Sequence, residues 1–212
     1  MNKKIVKSFS CCLLGTCLFS TVLSNGFNGY AVESIIIDDV DISNYVDSYN
    51  YQYISKLSNE KAIIYKNALK LGLSNKKLGK QSIDKVIENI DKLAAKENDI
   101  PIFEFRGNFW DGQGITTDEL GATIDVALMV LTGGAPGGAK AAVQALIAKH
   151  GKHKAVQIIA SKLSSLGLGA FVSKIIPFID AFIYLTSPGK GIASFIDSID
   201  FHKDNGRINL WP

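Results

Sequence analysis

A chain of 212 residues, 47% hydrophobic and 20% charged, holds enough apolar material for one core and is too apolar to be mostly disordered. Its net charge of only +3 excludes nucleic-acid binding on bulk charge. Beyond the N-terminus no run reaches about 18 unbroken apolar residues, which argues against a multi-span membrane protein.

The first 31 residues read as a secretory signal. Lys3, Lys4 and Lys7 form a positive start, an apolar stretch runs from Phe9 to Leu23, and Gly29-Tyr30-Ala31 places small residues at −3 and −1. Cleavage is expected between Ala31 and Val32, and the expected location is extracellular. Cys11, Cys12 and Cys17 all lie in this stretch, so the processed chain has no disulfide and no thiolate zinc site. Leu14-Gly15-Thr16-Cys17 is a poor lipobox, with Thr where a smaller residue is usual.

The remainder divides by composition. From Val32 to Gly114 there are 11 Lys+Arg against 13 Asp+Glu, and from Ile115 onward 9 against 7. Between Ala139 and Lys190 seven lysines face one acid, Asp180. We therefore expect a signal over 1–31, a pro-region or N-terminal helical segment over 32–106, and an apolar helical bundle over 107–212. Arg106 sits at that junction and is a candidate processing site.

Ser34 to Asp38 could form a short strand. Helical spacing then predicts Asn59–Leu71 and Ile83–Lys96, the second with Ser82 as N-cap and Ile83, Val86, Ile87, Ile90 and Leu93 on one face. Pro101 stops it, and a turn-rich Asp111-Gly-Gln-Gly114 closes the linker. Thr116-x-x-Glu119 is a capping box ahead of Leu120–Thr132. After a Gly/Pro turn come Ala139–His150, Lys154–Leu166 and Phe171–Leu185. The last is apolar nearly all round, with a narrow strip of Ser173, Lys174, Pro177, Asp180 and Tyr184 and a kink expected at Pro177. Pro188 opens a final helix to about Ile199. The predicted fold is all-α: a compact bundle of four to five short helices in the C-terminal half, preceded by a looser, mainly helical pro-region.

No catalytic set emerges, so the expectation is a non-enzyme without cofactors. Gly133 to Lys140 imitates a phosphate loop, but Ala139 stands where its Lys belongs, and an interhelical turn is the better reading. His150-Gly-Lys-His153 lacks further ligands and is surrounded by Lys149, Lys152 and Lys154, which opposes metal binding. Asp38-Asp-Val-Asp41 fails as a calcium loop, with Asn44 where Gly is needed and Asn50 where Glu is needed.

Short, Cys-free, Ala/Gly/Ile/Lys-rich helices over Ala139–Lys154, Ala155–Leu166 and Phe171–Leu185, behind a signal and a polar segment, resemble Gram-positive unmodified bacteriocin precursors. The layout is most similar to the closticin type, and the helical half resembles the bundles of circular bacteriocins. Asp197, Asp200 and Asp204 make the tail less cationic than that resemblance implies.

The resemblance implies a secreted antibacterial toxin that permeabilises membranes. Lys149, His150, Lys152, His153, Lys154 and Lys174 would meet anionic bacterial lipid, Ile179 would enter the apolar phase, and Trp211 would anchor at the headgroups. An immunity protein is the expected second partner, and nucleic acid is not. The competing expectation is a secreted helical module that docks a protein partner, in which Phe171–Leu185 is simply the central helix of an ordinary core.

Overall fold

The computed structural model describes residues 40–74, 76–97, 114–134 and 136–209, all of them within one compact unit. The fold is all-α. Its elements in chain order are α1 (Ile42–Ser48), α2 (Asn59–Leu73), α3 (Lys80–Glu97), β1 (Ile115–Thr116), α4 (Thr117–Val130), α5 (Gly138–His150), α6 (Lys152–Leu163), α7 (Gly169–Ile175), α8 (Ile179–Phe182), α9 (Pro188–Ile199) and β2 (Arg207–Ile208).

Local chemistry sets the ends. The Asp41 carboxylate caps α1 by accepting from Asn44 N at 3.2 Å. The capping box forms as the sequence predicts: Thr116 Oγ1 accepts from Glu119 N at 3.2 Å, and Glu119 Oε2 accepts from Thr116 N at 2.9 Å. The expected N-cap at Ser82 is corrected, because α3 already starts at Lys80 and Gly79 O accepts from Ile83 N. Gly151, with φ of +76°, turns the chain between α5 and α6.

α4 is the axis of the bundle. Every residue from Glu119 to Met129 is buried, and α2, α3, α5 and α9 pack around it. Its acids are answered from outside. Asp125 accepts from Lys76 Nζ at 2.8 Å, from Gly189 N at 2.7 Å and from the Ser187 hydroxyl. Lys85 Nζ lies 3.5 Å from Glu119. A second buried carboxylate, Asp91, accepts from Gln52, Tyr53 and Ile54 N and so fixes the turn between α1 and α2 to α3. No buried side-chain polar atom among the described residues lacks a partner.

One hydrophobic cluster runs from Val46 through Leu69, Ile87 and Ile124 to Ile196 and Ile208. The expected boundary at 106/107 therefore does not separate two packing units. α2 and α3 are core elements rather than a looser segment, because they supply the walls around α4. The strands pair antiparallel, Ile115 with Ile208 and Thr116 with Arg207.

Candidate membrane-contact face

The stretch expected as one kinked helix, Phe171–Leu185, divides at Pro177 into α7 and α8, and an irregular turn precedes it. Ser164–Leu168 forms a wide π turn in which Gly167 takes a left-handed φ of +83°. α7 follows, then a tight 3₁₀ turn Ile176–Phe178 containing Pro177, then α8. Across the turn Ile175, Ile179 and Ile183 are buried at i, i+4 spacing, so the same side of the stretch stays inward.

Ile179, expected to contact lipid, is instead 1% exposed and belongs to the core. Its neighbours do the opposite: Ile176 is 43% exposed, Phe178 49%, Tyr184 71% and Leu185 42%. Sequence spacing placed Tyr184 on the polar strip and a kink at Pro177, but gave no sign that Ile176, Phe178 and Leu185 face out. The expected polar strip of Ser173, Lys174, Pro177, Asp180 and Tyr184 is fully on the solvent side. Phe178 and Phe182 both pack on Phe195 of α9, with ring centroids 4.9 and 5.8 Å away, so the ledge is braced from beneath.

The ledge is not the central helix of the bundle, since α4 holds that place. Other exposed aliphatic and aromatic residues, Ile63, Leu71 and Phe201, lie on other elements. Single exposed hydrophobes are ordinary, whereas here four fall within ten residues.

The basic turn is brought to this corner. Lys149, His150, Lys152, His153 and Lys154 are all exposed. Lys152 Nζ pairs with Asp180 of α8 at 2.8 Å. That carboxylate holds the Lys152 ammonium above its usual pKa by hydrogen bond and charge. The pairing also neutralises the one acid of α7 and α8. Lys174 lies over the Phe171 ring at 6.0 Å. His153 Nε2 is 3.1 Å from Gln157 Nε2. Lys154 departs from the group and lines a groove between α3 and α6. Ala31, Val32, Arg106 and Trp211 lie outside the described residues.

Alternative chemistries find less support here. Among the described residues no three His, Cys, Asp or Glu side chains come together. The glycine turn before α5 borders a cavity that also holds Lys76, Lys77 and Lys190. Two of these lysines are paired with acids of that cavity, Lys76 with Asp125 and Lys190 with Asp118. Comparison with known proteins finds no matching family model, no matching curated protein and no matching solved structure.

Proposed function

We propose that the chain is a secreted antibacterial protein that binds anionic membranes through the α7–α8 corner and permeabilises them. The observation that carries this reading is the exposed apolar ledge of Ile176, Phe178, Tyr184 and Leu185 beside a lysine-rich turn. Lysines near an anionic surface contribute about 1 kcal/mol each to capture. The ledge then enters the headgroup region, where an aromatic side chain with a polar tip such as Tyr184 is favoured. One helical stretch, Lys152–Phe182, is long and apolar enough to cross a bilayer by length and composition, and under half of its apolar window is buried. It is the segment assigned to insertion.

Vesicles of equal parts phosphatidylglycerol and phosphatidylcholine test the reading. The double variant Ile176→Ser with Phe178→Ser should keep its helical circular dichroism and lose both binding and dye release. Replacing Lys149 and Lys152 by Gln should weaken binding by up to about 2 kcal/mol at low salt, and added salt should mimic this. Ile179→Lys should unfold the domain, because it forces a charge into the core. Wild-type leakage and killing by the double Ser variant would remove the ledge from membrane binding, and no dye release by the wild-type chain would overturn the membrane reading.

A further inference from the structure

The groove that receives Lys154 contains no residue of the α7–α8 ledge. Its volume is about 490 Å³, within the range of small-molecule clefts. Leu93 of α3, Leu131 at the end of α4 and Ile158 of α6 supply an apolar floor, and Lys96, Lys154 and Lys162 stand around it. Leu93 is 2% exposed, so the floor is continuous with the core.

The three lysines are not equivalent. Lys162 is paired with Glu97, the one carboxylate of the groove. Lys96 Nζ donates to Ser165 O at 2.9 Å. Lys154 makes no hydrogen bond or ion pair among the described residues. The groove thus offers an aliphatic surface, an excess of positive charge and one ammonium ready to take a partner. A polyanion would find too few open cations here, and a neutral apolar ligand would leave Lys154 unanswered. A ligand with an aliphatic chain and a single negative head satisfies both features at once.

We propose that this groove binds a single-chain anionic lipid, a long-chain fatty carboxylate, with its chain over Leu93, Leu131 and Ile158 and its head on Lys154. The site stands apart from membrane permeabilisation and is tested without a bilayer.

The experiment titrates the isotope-labelled full chain with dodecanoate below its micelle concentration. Saturable amide shifts are expected at Leu131, Gln157 and Ile158. Dodecanol should bind at least tenfold more weakly. Lys154→Glu should lower dodecanoate affinity at least tenfold and leave dodecanol unchanged, whereas Lys154→Arg should retain wild-type affinity. Lys203→Glu, outside both the groove and the ledge, should change neither. Because Lys154 is exposed, its variants keep the fold. Ile158→Asp, checked for its melting temperature, should abolish binding of both amphiphiles. Equal affinity for dodecanoate and dodecanol, an unaffected Lys154→Glu variant, or shifts confined to the α7–α8 ledge would overturn the proposal. So would a dimer in solution that Ile158→Asp disperses, since the groove would then belong to a second copy. No vesicle leakage by the wild-type chain, with its dodecanoate binding intact, would fault the membrane reading alone.

Discussion

Asp125 shows how much one side chain carries in this chain. It is 3% exposed, in the middle of the most enclosed helix, and is held by Lys76, Ser187 and the amide of Gly189. Removing one partner of such a pair leaves the other charge in a poorly solvated place. Asp125→Ala should therefore cost about 3–5 kcal/mol, read as a lower urea midpoint. A loss under about 1 kcal/mol would mean that Lys76 and Gly189 find other partners. Sequence shows Asp125 only as a lone acid in an apolar run. Lys76 is 49 residues away and Ser187 is 62, so nothing local announces the cluster. The tyrosines of α1 to α2 make a second residue-scale case. Burial, with a hydrogen bond to Asp84, pushes the Tyr45 phenol up to about 12. Burial also raises Tyr49, Tyr51 and Tyr65, the last helped by Glu97. A raised folded pKa favours the protonated phenol, so this stability is complete below about pH 10 and falls as pH climbs toward 12. Phenolate absorbance should appear above pH 10 together with loss of helical circular dichroism. Ionisation of these phenols at pH 10 with the helices intact would contradict their burial.

At the scale of elements, helical periodicity located the helices because packing against α4 demands the same apolar stripes that spacing reveals. Spacing could not reveal where regular winding stops. The π turn at Gly167 and the 3₁₀ turn at Pro177 end regular winding, and Phe178 lies within the second of them. Nor could spacing show how closely α4 and α9 approach. A Cβ added at Gly189 would lie 2.3 Å from Gly121 O and 2.8 Å from Asp125 N, both backbone atoms. Gly189→Ala should force the helices apart and cost about 1–3 kcal/mol. Gly169, at the start of α7, has nothing within 4 Å of such a Cβ and no left-handed φ. Gly169→Ala should gain up to about 1 kcal/mol. Paired thermal melts decide the matter, and equal shifts in both variants would refute the close crossing.

For the whole molecule, the compositional divide between a neutral first half and a cationic second half does not become a structural divide. Charge counts report mainly on surfaces. The core is built from apolar faces that both halves possess, so Leu69 and Ile87 join Ile124 and Leu128 in one cluster. Freeing residues 107–212 would strip α4 of the cover given by α2 and α3, and Asp125 of Lys76. Cutting the chain at a protease site engineered within 98–113 should therefore leave the two fragments together on size exclusion until urea is added. Separation in plain buffer would show that each half holds its own core.

The small β pairing carries a topological consequence. Thr117 N donates to Gly206 O at 3.0 Å, and the Arg207 guanidinium donates to Gly114 O at 3.2 Å. Residues 114 and 209 thus stand at the two ends of a circuit that hydrogen bonds already close. A covalent cross-link between these two ends, made in the full chain, would leave the helices where they are. For a loop of about a hundred residues, such closure restricts the unfolded chain by an amount on the order of 4–5 kcal/mol. The pairing is therefore a place where a cross-link would raise stability with no change in the core and with α2 and α3 still covering α4.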